Sequence, residues 1–199
     1  MAWNTEETRR RLLEAAVVEF AAHGLAGTRM ERIAARAGIN KERLYNYFGD
    51  KERLFQTVLS DELAKIAAAV PLTSLDDLGE HAGRCYDYHL ANPHLVRLLQ
   101  WEALAYGSGP VADEEGRRDH YGRKVAAVRS AQEAGTIDDA VGAAELMFMN
   151  MALAAWWVAV PQVALMVTGT EDHAARRAAV VAAARRMAGM RQPSTDSTE

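Results

Sequence analysis

The stretch Lys41-Glu42-Arg43-Leu44-Tyr45-Asn46-Tyr47-Phe48-Gly49-Asp50-Lys51 concentrates side chains suited to reading or gripping a nucleic acid. Lys41 and Arg43 carry donors that match the acceptor edge of guanine, Asn46 has the paired donor and acceptor that adenine requires, and Glu42 can accept from the amino group of cytosine. The phenols of Tyr45 and Tyr47 can donate to phosphate while their rings pack on sugar. Lys51, near the positive end of a following helix, adds a charge-assisted phosphate contact. Upstream, Thr28 and Arg29 stand at the start of another helix, whose amides make a second phosphate site.

Such side chains are useful only if short, rigid elements aim them. Thr28-Arg29-Met30-Glu31 has the form of a capping box, in which the hydroxyl accepts from the Glu31 amide and the carboxylate returns to the Thr28 amide. Met30, Ile33, Ala34 and Ala37 then share one helical face. Gly38 is free to take positive φ at the helix end, and Asn40 is placed to cap the next helix. That next helix turns Leu44 and Phe48 inward at i, i+4 and ends at Gly49, after which Asp50 caps a fourth. Helix, three-residue glycine turn and helix is the helix-turn-helix pattern, whose second helix enters the DNA major groove. The same geometry also describes an ordinary corner between two helices.

Apolar residues recur at helical spacing along the whole chain and no alternating strand run interrupts them, so the expected fold is all-α with about nine helices. Asn4 with Glu7 starts the first helix, Leu13, Val17 and Phe20 line it, and His23-Gly24 stops it. The fourth runs to about Val70-Pro71, the fifth from Ser74 to Asn92, and Pro93 opens a sixth. A seventh covers roughly 111–134, an eighth about 138–160 with Pro161 bending or ending it, and a ninth lies between Thr170 and Gly189. The tail 191–199, made of Pro, Ser, Thr and acids, is expected to be disordered.

The 199 residues include 49% hydrophobic and 25% charged ones, enough for one large domain or a small and a larger one. The formal net charge of −4 hides a split: residues 1–60 hold ten Lys/Arg against eight Asp/Glu, so the excess of acids lies beyond them. A single cysteine excludes an intrachain disulfide framework, and the first residues lack the order of a secretion signal, which points to the cytoplasm. The 22 residues 146–167 carry no formal charge and are long enough to span a bilayer. Their Asn150, Pro161 and Gln162, and the lack of a flanking Lys/Arg cluster, favour a helix buried between helices, within or between chains, and no membrane partner.

Residues 8–55 resemble the DNA-binding domain of the tetracycline-repressor (TetR) family of bacterial transcription regulators. The likeness rests on Phe20-Ala21-Ala22-His23-Gly24, on the segment from Gly27 to Gly38 (GTRMERIAARAG), and on the segment from Leu44 to Leu54 (LYNYFGDKERL). It implies phosphate contacts from Thr28, Tyr45, Tyr47 and Lys51 and base contacts chiefly from residues 41–46. Glu42 and Arg43 stand where small residues are common, and Asn40 where Ser or Thr is common. The resemblance further implies residues 1–50 as the DNA-binding domain and residues 51–190 as a helical ligand-binding and dimerisation domain, with 51–70 as connector. The implied partners are double-stranded operator DNA, a small-molecule effector, and a second copy held through the last two helices. In the ninth helix, Ala174, Ala178, Val181 and Ala182 form a small-residue stripe suited to such a contact, or to an ordinary core.

For the effector, aromatic and methionine side chains with a few polar anchors are the expected lining: Tyr86, Trp101, Tyr106, Met147, Met151 and Trp156 or Trp157, with Glu102 and Asn150 as anchors. The same residues would serve as plain core. His81, Cys85 and His89 recur at i, i+4, i+8, with His94 beyond, but ligands spread along one straight helix do not converge on a single ion, so no metal or other cofactor is expected. An all-α binder or enzyme with an incidental helix corner is the rival reading. Against it, the chain has no nucleophile-and-base signature, no glycine-rich phosphate loop and no HExxH, so no catalytic residue is assigned.

Overall fold

The computed structural model describes residues 5–73, 75–111 and 113–189. Asn4, Ser74 and the tail 191–199 lie outside the described residues. Within them the chain is all-α, with ten helices and no strand: α1 Thr5–Gly27, α2 Met30–Ala37, α3 Lys41–Phe48, α4 Lys51–Ala69, α5 Leu78–Ala91, α6 Pro93–Tyr106, α7 Glu114–Glu133, α8 Ala143–Ala159, α9 Pro161–Thr168 and α10 His173–Met187. The helices fall into two compact units: α1 to α3, most of α4 (through Ile66) and α6 form one, and α5 with α7 to α10 form the other.

In the first unit α1 buries Leu12, Ala16 and Phe20, and Phe20 meets Phe55 of α4 edge to face at 5.1 Å. The expected stop at Gly24 is a kink: Gly24 takes φ 64°, ψ −175°, and helical turns resume to Gly27. Glycine is required there twice over, because the left-handed region penalises a side chain and because a Cβ would lie 2.6 Å from the Trp101 ring of α6. Trp101 Nε1 donates to the Ala21 carbonyl at 3.2 Å, fixing α6 across α1. Further along, the buried Glu62 of α4 lies 2.7 Å from His94 Nε2 at the start of α6 and 2.6 Å from Lys65 Nζ. Burial raises the Glu62 pKa, but the His94 and Lys65 contacts outweigh it and hold the carboxyl below its ordinary range.

In the second unit Asp77, rather than the region of Ser74, starts α5, with its carboxylate accepting from the amides of Gly79 (2.8 Å) and Glu80 (3.2 Å). Gly79 and Gly83 let α10 approach α5 closely: a Cβ at Gly79 would meet the Val181 carbonyl oxygen at 2.7 Å, and one at Gly83 the Val181 methyl at 2.8 Å. Arg185 pairs with Asp77 and Glu80, and Arg177 with Glu80 and Asp87, along the same contact. Val181 is therefore core of its own unit, while Ala174 and Ala178 of the same stripe are exposed. An apolar cluster of Leu78, Val128, Ile137, Leu146 and Met147 joins α5, α7 and α8.

The expected count of about nine becomes ten because Pro161 opens a helix of its own. Proline at the first position of a helix loses no hydrogen bond, so α9 begins there, bent by 89° from α8. Among the described residues no single helix is long and apolar enough to cross a membrane; the α8–α9 pair passes only as a bent pair.

Candidate nucleic-acid interface

The α2-turn-α3 module is built from both ends. Gly38 closes α2 in the left-handed region (φ 67°), its amide returning to the Ala34 and Ala35 carbonyls. Asn40 Oδ1 accepts from the Arg43 amide at 2.8 Å, and Asp50 Oδ1 likewise from the Arg53 amide at 2.8 Å, so α3 and α4 start where the sequence places them. Leu44 and Phe48 anchor α3 in the core.

The start of α2 is different from the expected capping box. Arg29 is the N-cap residue and makes no side-chain cap, while the Thr28 hydroxyl donates to the Glu19 carbonyl at 3.1 Å. Thr28 is only 2% exposed. Its hydroxyl joins α2 to α1, and the capping-box reading is corrected on that ground. Glu19, which sequence reasoning passed over, is the hub of this joint: its buried carboxylate lies 2.9 Å from Arg32 Nε and 3.2 Å from Arg36 Nη2. A Glu one position before the aromatic core residue Phe20 was the available signal.

On the outer side, Arg29, Lys41, Glu42, Tyr45 and Asn46 are exposed, and Arg43, Tyr47 and Lys51 are half-buried. Lys41 is ion-paired to Glu31 of α2, a contact that raises the lysine pKa, and its ammonium lies 5.6 Å from the Tyr45 ring centre. Tyr47 donates its hydroxyl to the Thr5 carbonyl at 3.4 Å. Lys51 Nζ donates to the carbonyls of Thr28 (3.2 Å) and Ala26 (3.4 Å), tying α4 to the loop before α2.

Beside α3 an open groove of about 830 Å³ is walled by Tyr45, Asn46, Tyr47, Arg9, Arg53 and Gln56, among others. It adds two cations that were not singled out from sequence. Arg9 of α1 lies over the Phe48 ring at 5.9 Å, and Arg53 follows the Asp50 cap at 3.8 Å. Arg9 is distant in sequence from α3, and only the fold brings the two together.

The residues expected around an effector divide between the two units. Trp101, Glu102 and Tyr106 belong to the first, where Trp101 packs on Gly24, Glu102 is buried, and Tyr106 donates to Glu52 at 3.2 Å. Tyr86, Met147, Asn150, Met151 and Trp157 belong to the second. There the Tyr86 hydroxyl is 3.1 Å from His173 Nδ1, Trp157 lies 5.5 Å from the Arg176 guanidinium, and Met147 is core with Met151 at its edge. Asn150 Nδ2 is 3.2 Å from His81 Nδ1. Among the described residues no three His, Cys, Asp or Glu side chains come together to hold a metal ion.

Comparison with known proteins places this architecture. Residues 12–58 match the model for bacterial regulatory proteins of the tetR family, and residues 77–186 match the tetracyclin repressor-like C-terminal domain. The HTH-type transcriptional repressor SCO4008 of Streptomyces coelicolor is 46% identical over 171 residues, covering 86% of this chain and 88% of its own. The HTH-type transcriptional repressor NicS of Pseudomonas putida is 35% identical over 112 residues, 53% of each chain. Among solved structures, the transcriptional regulator SCO4942 of Streptomyces coelicolor superposes with a TM-score of 0.80 at 33% identity, covering 90% of this chain and 97% of that one. With both domain models matched and a near-full-length relative, the chain belongs to the TetR family of bacterial regulatory proteins.

Proposed function

We propose that this protein is a dimeric, effector-responsive repressor that binds a two-fold operator in double-stranded DNA and releases it when a small molecule occupies the C-terminal domain. The observation that carries the reading is the outer face of α3, where Lys41, Glu42, Tyr45 and Asn46 stand exposed on a helix capped at its start and anchored by Leu44 and Phe48. Residues 1–50 serve as the DNA-binding part, and residues 51–190 as the effector and dimerisation part, with 51–70 as connector.

Base contacts come from Lys41, Glu42, Arg43 and Asn46. Phosphate contacts come from Tyr45, Tyr47, Lys51 and Arg29, joined by Arg9 and Arg53 along the groove. Thr28 acts from the inside, by setting the angle of α2. Lys41 trades Glu31 for a base edge when DNA arrives.

The second copy docks on α8 to α10. Phe148 (72% exposed), Trp156 (63%) and Met166 (76%) put large apolar side chains in water along α8 and α9, where a second copy would cover them. A dimer with α3 helices set about 34–36 Å apart spans successive major grooves, and an effector acts by preferring a different spacing. The working place is the cytoplasm, with the DNA, and no catalytic step is assigned.

The test is footprinting on DNA upstream of the protein's own gene, repeated over a salt series and with candidate metabolites. A two-fold footprint whose affinity falls steeply with salt is expected, because phosphate neutralisation releases counterions. Absence of any salt-sensitive protection would refute the assignment.

A further inference from the structure

The core of the second unit contains polar groups that its own side chains do not satisfy. Asn150 of α8 has no exposed surface, and while its Nδ2 meets His81 Nδ1, its Oδ1 has no partner. Turning the amide over exchanges the two atoms without supplying a second partner. Two turns along α5 from His81, the buried His89 also has an Nδ1 without a partner. From α7 comes Lys124, 8% exposed, and no carboxylate among the described residues is set against its ammonium. Cys85 Sγ lies 3.9 Å from His81 on α5, and the charge of Lys124 acts on both of them and on His89. None of the other three offers a counter-charge: burial pushes both histidines down to about 4, and pushes the Cys85 thiol up to about 11, so all are neutral near pH 7.

A buried ammonium with no counter-ion costs several kcal/mol, a cost that folding alone gives no reason to keep. Val125 and Val128 follow Lys124 on α7, and Leu146, Met147 and Met151 flank Asn150 on α8; all five belong to one apolar cluster. The geometry points to Lys124, Asn150 and His89 as the polar end of the effector site, and to an organic anion, an acid carried on an apolar body, as the effector. This inference rests on the reading of the chain as an effector-responsive regulator. The carboxylate supplies the missing counter-charge to Lys124, and polar substituents on the body meet the open atoms of Asn150 and His89. A cationic ligand of the same shape meets Lys124 as a like charge.

The experiment uses the full chain. Hexanoate, decanoate and benzoate are titrated against the amines of the same skeletons, with binding followed by calorimetry and thermal shift, in the wild type and in Lys124→Met. At least one acid is expected to bind saturably and raise Tm while its amine does not, and Lys124→Met should weaken that acid about 10-fold or more, the usual size of a lost charged hydrogen bond. The free variant should melt at the same or a higher temperature, because a buried charge has been replaced by an apolar chain of similar length. Equal binding of acids and amines, binding of none of the six, or acid binding unchanged in the variant overturns the proposal. If Lys124→Met does not fold, Lys124→Gln carries the same comparison. Operator binding measured in parallel separates the two readings: retained DNA binding without acid preference removes the anion site alone, whereas acid binding in a chain that ignores DNA removes the regulator.

Discussion

The indole of Trp101 lies so close over Gly24 that a single added carbon on the glycine would sit 2.6 Å from two of its ring atoms. The kink in α1 and the seat of α6 are thus one contact. Gly24→Ala must both enter the left-handed region and displace the ring, and should destabilise the first unit by about 2 kcal/mol or more. Urea unfolding of the variant checks this, with an unchanged midpoint as the contrary result.

Glu19 sets the angle of α2 through its carboxylate and its carbonyl. Glu19→Gln keeps the shape and removes the charge, and should cost about 2 kcal/mol, since Arg32 and Arg36 are themselves half in water. Operator affinity should fall more than in Arg32→Ala, because two arginines lose their anchor together. Quantitative binding of both variants to the footprinted fragment decides the order.

For the DNA face, Tyr47→Phe and Arg9→Ala should each weaken binding similarly for all sequences, Arg9→Ala also lowering the salt slope by about one. Arg43→Ala should instead relax sequence preference at one or two positions. A binding-site selection in which the tyrosine variant changes preference and the arginine variant does not would reverse the assignment.

Stability should begin to fall on acidification below about pH 6.5, before most carboxylates titrate. Burial first, then the Lys124 charge, lowers His81 and His89 from 6.5 to about 4. Between those values the unfolded chain binds protons that the folded chain refuses, so stability is full above 6.5 and drops as pH falls toward about 4. The slope is up to about 1.4 kcal/mol per pH unit for each histidine. Urea titrations at several pH values should show it, and His89→Leu should remove roughly half of it.

Phe148→Glu places a charge on the proposed dimer face, on a side chain that contributes little to its own unit's core. Sedimentation should find monomers with unchanged helical content, binding operator weakly. A dimer that persists in this variant would move the interface elsewhere.

Local signals fixed most of the fold in advance. Gly38, Asn40, Asp50 and Pro93 each act within one turn of the chain, and each does what its chemistry requires. Pro161 shows the limit of that reasoning, since a proline that ends one helix is equally suited to begin another, and only packing decides which. Thr28 shows it again: its hydroxyl had two acceptable partners, and the nearness of the Glu19 carbonyl took it from the cap.

By itself, the sequence determined the all-α class, the turn between α2 and α3, and which α3 side chains face inward, because these depend on periodicity and caps a few residues apart. Tertiary structure alone decided that Arg9 stands over Phe48, that Glu19 holds α2, and that Lys124 is buried with its charge acting on neutral groups of α5. Those relations join residues far apart in the chain, and their energies exist only once the helices have packed.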